Sequence, residues 1–301
     1  MKKFIILLLP LIAFGQVQYS GSVSPTYLMR ISDGSEISLL YRLAELQLGY
    51  SIGDFELKTN TAVEARWKGR EVTLDLREAY LVWYPLFGEV KLGKMIHTWG
   101  AADGNNPTDN INPYDFYYMF LAGADRKIGV LSGSLKAYWN NLNAEVIVVP
   151  EHTANRLPFG EEDFPIQFPF EPDEYIKIDN PYEFGARLQG SFNWGDASLS
   201  YFNGYDRGFN LMSLLPPMPN FGYRKTNMIG ADFVTFISDF TVRSELGYFH
   251  TIDDYTDPLA IRNFDFDTDA DYIQYVWQLE YSGFSDINLG VQLLGTNVLS
   301  A

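Results

Sequence analysis

The sequence predicts an all-β chain, an antiparallel transmembrane β-barrel of about 14 or more strands. Three observations carry that expectation. Apolar and polar residues alternate with period two in stretch after stretch; no run beyond the first fifteen residues is long and apolar enough for a membrane helix; and short connections alternate with long ones along the chain.

The opening MKKFIILLLPLIAFGQ reads as a secretory signal peptide over 1–15. Lys2 and Lys3 form its basic start, 4–14 its apolar run, and Ala13-Phe14-Gly15 its small-x-small cleavage site. The barrel is then expected over 16–301. The absence of Cys removes a lipid anchor and a disulfide scaffold from consideration. Without the two leader lysines, 20 basic residues face 38 acidic ones, a net charge of −18. That sign disfavours a nucleic-acid partner. Twenty Tyr and 22 Phe need a surface that rewards aromatics, such as the girdles of a membrane barrel or a carbohydrate-binding face.

Thirteen strands follow from the alternation, at 17–32, 37–52, 55–67, 72–84, 89–99, 128–139, 143–152, 182–194, 197–207, 227–237, 240–251, 272–282 and 287–297. The third shows the pattern plainly. Phe55, Leu57, Thr59, Thr61, Val63, Ala65 and Trp67 share one face, and Glu56, Lys58, Asn60, Ala62, Glu64 and Arg66 the other. The eighth sorts Phe184, Ala186, Leu188, Phe192 and Trp194 against Arg187, Gln189, Ser191 and Asn193, and the twelfth sets Gln274, Val276, Gln278 and Glu280 against aromatics and aliphatics. Tight turns follow every even strand, at 53–54, 85–88, 140–142, 195–196, 238–239 and 283–286, while connections after odd strands lengthen to 100–127, 153–181, 208–226 and 252–271. Turns at one end and long loops at the other mark a bacterial outer-membrane barrel. An odd strand count, and a last strand without the usual terminal aromatic, lead us to expect a barrel that is incomplete at residue 301. Strict alternation also puts Glu78 on the lipid face between Leu76 and Tyr80, a costly place unless a bulge resets the register.

A soluble β-sandwich would alternate as well. Two features favour the barrel. Trp67, Trp83, Tyr84, Trp99, Trp139 and Trp194 lie near strand ends, as interfacial belts do. The opposite faces carry charge, which suits a wet lumen. Candidate lumen and constriction residues are Glu64, Arg66, Asp75, Arg77, Arg187, Arg243 and Glu245, acting either as a selectivity filter or as cross-strand ion pairs such as Arg66 with Asp75.

The segment GKMIHTWGAADGNNPTDNINPYD, 93–115, is rich in turn-forming Asn, Asp, Gly and Pro. With LREAYLVWYP at 76–85, KLGKMIHTWGAADGNNPTDNINPYDF at 91–116, DRKIGV at 125–130 and VVPEHTANRLP at 148–158, it resembles a family of uncharacterised bacterial outer-membrane, porin-like β-barrels. Members carry Gly-Arg-Gln-x-x-x-Trp-Gly-x-x-Asp-Gly, then Asn-Pro-x-Asp, then an Asp-Arg pair. Here Gly93, Trp99, Gly100, Asp103, Gly104, Pro107, Asp109, Asn112, Pro113, Asp115, Asp125 and Arg126 match, while Lys94 and Met95 replace Arg-Gln. The likeness spans about 72–160, and a more distant one to alginate-export and substrate-specific porins rests on the Leu-Gly-basic strand. It implies that loop 100–127 folds inward and packs on the lumen wall. The residues agree: Asn and Asp cap consecutive turns, and the aromatic run 114–121 calls for burial.

Other features point elsewhere. Asp265, Asp267, Asp269 and Asp271 begin like a Ca²⁺ loop, but Ala270 replaces the required Gly and the closing Glu is missing, so a solvated acidic rim bridged to lipopolysaccharide is the better reading. The apolar stretch 209–223 is either a surface binding site or a loop folded over the barrel mouth. His97, His152 and His250 fall near strand ends with no motif for a metal or acyl-transfer site, and no enzyme or cofactor is expected. The expected function is a porin-like channel for small solutes, cation-favouring and narrowed by loop 100–127. The alternative is a non-conducting barrel that binds a hydrophobic ligand or a partner protein through its outer loops. The bilayer and a small solute are the expected partners.

Overall fold

The alternating stretches join into one antiparallel ladder of 13 strands in the computed structural model, which describes residues 16–168, 170–213, 219–252 and 269–300. In chain order these are β1 (Gln16–Val23), β2 (Tyr41–Ile52), β3 (Phe55–Arg66), β4 (Glu71–Trp83), β5 (Gly88–Met95), β6 (Val130–Trp139), β7 (Leu142–Val149), β8 (Glu183–Phe192), β9 (Gly195–Tyr205), β10 (Lys225–Ile237), β11 (Phe240–Ile252), β12 (Ala270–Tyr281) and β13 (Leu289–Ser300). Every strand pairs with its neighbours in sequence, an up-and-down meander. The tight turns fall where expected, and Asn140 and Ser238 take left-handed φ of 50° and 53° to make two of them. Among the described residues no helix is long and apolar enough to cross a membrane, and helical structure is limited to 3₁₀ turns at Phe116–Tyr118 and Gly123–Arg126. The leader 1–15, Leu214, Leu215, Asp265 and Asp267 lie outside the described residues.

The two faces of the sheet are inverted relative to a soluble sandwich. Leu74, Leu92, Leu131, Leu199, Ile229 and Leu293 are exposed on one face, while Glu64, Ser132, Ser200, Asp232 and Glu245 are buried on the other. Exposed aliphatics over buried charge is what a wall with hydrocarbon outside and a polar interior requires. Trp67, Trp83, Trp139 and Trp194 are exposed, whereas Tyr84 turns to the polar face and donates to Glu56 at 2.7 Å.

The polar face also curls. One segment, 96–129, touches Glu64 on β3, Arg77 on β4, Glu145 on β7, Glu245 on β11, Gln278 on β12 and Gln292 on β13. A single loop can meet strands so far apart in the ladder only if the sheet wraps around it.

Several expectations are corrected. The first strand ends at Val23 instead of running to 32, because Pro25 cannot donate to the ladder. The chain between β1 and β2 instead forms a separate small hairpin, Leu28–Met29 against Glu36–Ile37. The fifth strand stops at Met95 rather than 99, so His97 and Trp99 belong to the loop. Glu78 is not on the lipid face. The β3–β4 register steps from Asn60↔Glu78 to Thr61↔Leu76, leaving Arg77 as the extra residue of a bulge. Arg77 and Glu78 then both point inward, and so does Tyr80 beyond them, beside Gln47 and Asn60.

Candidate functional site

The inner loop is tied to itself before it is tied to the wall. Asn112, fully buried, gives both amide hydrogens to carbonyls at the loop's two ends, Met95 at 3.0 Å and Ile128 at 2.8 Å, and accepts from His97 N–H at 2.7 Å. Lys127 donates to the His97 carbonyl at 3.0 Å and pairs with Asp109, both side chains buried. Asp115 caps the 3₁₀ turn by accepting from Tyr117 N–H at 3.1 Å. The short polar side chains thus satisfy a turn-rich backbone that water cannot reach.

Four contacts seat the loop on the inner wall. Glu245 accepts from the N–H groups of Ala101 and Ala102, both at 2.6 Å, and from the Thr108 hydroxyl at 3.0 Å. Gly100 makes this approach possible: its φ is 91°, and a Cβ there would lie 2.6 Å from Glu245 Oε1. Asp103 meets Arg243 and Gln278 at 2.9 Å each. Trp99 Nε1 donates to Glu145 at 3.2 Å. Arg207 spans Glu183 on β8, at 2.6 Å, and the loop carbonyl of Ile111, at 2.7 Å.

Glycines on the wall make room beneath these contacts. A Cβ at Gly185 would lie 2.5 Å from Ile111 Cδ1 and 2.8 Å from Trp99, one at Gly230 would lie 2.7 Å from Thr108, and one at Gly247 would lie 3.2 Å from Pro107. The inward faces of β8, β10 and β11 are therefore flattened where the loop rests. Gly185→Val is expected to lift the Trp99–Ile111 corner at a cost of about 1–3 kcal/mol. Amide exchange over 97–112 should rise, and unchanged exchange would show that the loop does not depend on this fit.

The candidate lumen residues are all on the inner face, but they do not oppose one another across an open gap. Glu64 is buried and bonded to Tyr118 at 2.8 Å and Arg156 at 3.2 Å. Arg66 does not pair with Asp75: the register sets it opposite Glu71, and its guanidinium takes Glu161 at 2.5 and 2.7 Å. Asp75 lies opposite Ala62. Arg77 binds Glu45 at 2.6 Å and the Ala124 carbonyl at 2.8 Å, and it lies 3.5 Å from Asp125. Arg187 pairs with Asp232 at 3.1 Å on the wall. Arg243 bridges Asp103 and Glu280, while Glu245 meets no arginine among the described residues and instead anchors the loop. Arg126 donates to the Gly104 carbonyl and stacks 5.0 Å from the Tyr114 ring. Pro113 accepts from Ile128 N–H at 3.0 Å.

Two aromatic and histidine assignments change. Trp99 is a core residue, packed with Ile111, Ile147, Val149 and Phe202, rather than a belt residue. His97 is buried against the Ser132 hydroxyl at 2.9 Å, and His152 against Glu183 at 3.0 Å, so neither is interfacial. His250 is partly exposed and meets Asp271 at 2.8 Å. Asp271 also accepts from Tyr248 and Ser300, and among the described residues no group of three or more metal-ligating side chains gathers. Burial pushes the Asp115 carboxyl above its ordinary range, with Arg156 opposing.

Sequence reasoning missed Lys127, Glu145, Arg156, Glu161, Arg207 and the three wall glycines. Only the glycines left a signal, as breaks in otherwise alternating inner faces. A cavity of about 360 Å³ lies against the wall of β1–β4, lined by Gln18, Gln47, Glu56, Lys58, Asn60 and Tyr80. A second, of about 270 Å³, lies between Asn105, Asn106, Tyr114 and the wall at Gln274 and Thr296.

Neither a protein-family model nor a curated protein matches the chain. Among solved structures it is similar to Pseudomonas aeruginosa OccK2 (OpdF), crystallised in complex with glucuronate, at 11% identity and a TM-score of 0.45. That match covers 93% of this chain and 62% of OccK2, so the chain spans less than two thirds of its length. It is also similar to Salmonella typhi OmpF in complex with daunomycin, at 10% identity and a TM-score of 0.36, over 93% of this chain and 88% of that one.

Proposed function

We propose that the protein is a porin-like channel of the bacterial outer membrane, passing small solutes passively through a lumen narrowed by the inner loop. The observation that carries this reading is the inverted sheet, apolar outside and polar inside, curled around a loop that fills part of its interior. The glycine bed and the buried Lys127–Asp109 pair support a fixed constriction. Solute then moves beside the loop, along the polar cavities that Lys58, Asn60, Asn105 and Asn106 line. The likeness of about 72–160 to uncharacterised porin-like barrels points the same way.

A preference for cations follows from the charge of −18 and the acidic outer loops. The lumen arginines Arg187 and Arg243 leave that preference standing, because their charges are matched by Asp232 and by Glu280 with Asp103. Lipid and lipopolysaccharide are the expected surroundings and a small solute the expected cargo. Planar-bilayer recording in a salt gradient tests this: discrete steps with a reversal potential on the cation side are expected. A folded, heat-modifiable protein that stays silent would remove the reading of a passage open at rest, and anion selectivity would remove the charge argument.

The described part of 209–223 favours the folded-back form over a free binding surface. Phe209 packs on Phe159, Tyr175 and Phe221, and Met212 is buried.

A further inference from the structure

The second long connection, 150–182, leaves the wall between β7 and β8 but does not stay there. Its first part is fixed to the inner loop: Arg156 exchanges backbone hydrogen bonds with Tyr114 and Phe116 at 3.0 and 2.9 Å, and Asn155 accepts from Tyr114 N–H at 2.7 Å. Its next part reaches the outer ends of the first three strands. Glu161 takes the Arg66 guanidinium through both oxygens, at 2.5 and 2.7 Å, and accepts from the Tyr117 hydroxyl at 2.9 Å. Asp163 holds Arg30 at 2.5 Å and the Ser38 N–H at 2.9 Å. The segment therefore bridges from β7–β8 to β3 and to the hairpin between β1 and β2, over the wall of β4–β6.

The chemistry of this bridge differs from that of the inner loop. The inner loop is held by groups sealed from water, with Asn112 and Thr108 fully buried. The bridge tip is held by ion pairs less sealed than that: the Arg30 side chain is 41% exposed, while Arg66 and Glu161 are 18% and 13% exposed. Three aromatics add to it: Phe164 is buried and packs 6.4 Å from Tyr117, Phe168 lies 6.3 Å from Phe116, and Phe159 lies 6.2 Å from Phe209, centroid to centroid. Beside the tip, Gly160 has φ of 69° and open space around its Cβ position, so the backbone can swing there without a steric obstacle.

We propose that 157–168 is a releasable lid, latched across the outer mouth by Glu161 and Asp163 on Arg66 and Arg30, and that opening it admits solute to the lumen beside the fixed inner loop. The gating part rests on the channel reading above. Partly exposed ion pairs are weak individually and contribute by bringing a preformed surface into register. Two of them, with ring contacts from Phe159, Phe164 and Phe168 that involve no strand of the ladder, make a closure that opens locally without disturbing the wall.

The test compares wild type with the double variant E161Q/D163N by hydrogen–deuterium exchange, and records bilayer conductance on the same folded preparations. Exchange over 157–168 is expected to rise about tenfold while 105–113 stays protected, with longer open times or larger steps in the variant. The charge-swapped pair R66E/E161R restores one latch, and its exchange should fall back towards wild type. Unchanged exchange in E161Q/D163N overturns the latch. Raised exchange with unaltered conductance in a conducting protein overturns the gate. A conducting variant of a silent wild type supports the lid most directly. Silence in both, with raised exchange, removes the channel reading and the gate with it, leaving a latched loop with no passage to control.

Discussion

Replacing Lys127 with Met is expected to undock the inner loop at a cost of about 3–5 kcal/mol, the usual price of leaving one member of a buried ion pair alone. Lys127 and Asp109 have side chains only 1% and 5% exposed. The ammonium group also bonds the His97 carbonyl, so one side chain joins the loop's end, its middle and its start. Burial pushes the lysine below its ordinary pKa while Asp109 opposes that shift, which describes a charge kept inside by its partner. Without it, the Asp109 carboxylate would be desolvated with nothing to answer it. Amide exchange over 97–128 should accelerate by about a hundredfold or more, since each 1.4 kcal/mol is a factor of ten. The double variant D109L/K127M separates charge from shape. Removing both partners should recover most of the loss, because an apolar pair of similar volume needs no solvation. If K127M exchanges like wild type, the pair is not what holds the loop, and Glu245 and Arg207 become the anchors to test.

The fold was legible because a lipid-facing wall obeys a local rule. Each strand must alternate regardless of what happens elsewhere, so β3, β8 and β12 could be read from their own residues. The turns were legible for the same reason. The inward course of 96–129 came from its motif and from aromatics that needed burial. Its anchors were not readable, because they join residues far apart: Glu245 meets Ala101 across 144 positions, and Gln292 meets Asp103 across 189. In a list of lumen charges, Glu245 looks like any other carboxylate. Only a folded loop shows that it accepts backbone N–H groups rather than filtering solute. The assumed Arg66–Asp75 pair failed on register, and Glu78 was misplaced because one bulge residue, Arg77, changes which face every later residue of β4 occupies. Trp99 misled for a different reason. Proximity to a strand end marks a belt tryptophan only when the chain continues along the wall, and here it turns inward one turn early.

Acid is expected to loosen the inner loop, and His97 is the residue through which it acts. Burial first, then the positive charges of Lys127 and Lys91, push the imidazole from 6.5 down to about 3. The docked loop therefore keeps His97 neutral, bonded to the Ser132 hydroxyl, while an undocked loop would take up a proton below its ordinary value. Docking is at full strength above about pH 6.5 and weakens as the pH falls towards 3, by about 1.4 kcal/mol for each unit. Near pH 4.5 the loss is about 2–3 kcal/mol, which should appear as lower protection factors over 97–112, with those of the wall strands unaffected. Asp115 acts in the opposite sense: its raised carboxyl binds a proton more readily in the docked loop, so its titration favours docking in acid. The two contributions are separated by His97→Gln, which keeps a polar group near Ser132 but has nothing to titrate in this window. Protection factors over 97–112 in H97Q should be nearly flat between about pH 7 and pH 5, where those of wild type already fall. Parallel curves for the two proteins would mean that His97 remains neutral for a reason unconnected with docking. The acid response of the loop would then have a source other than the buried ring.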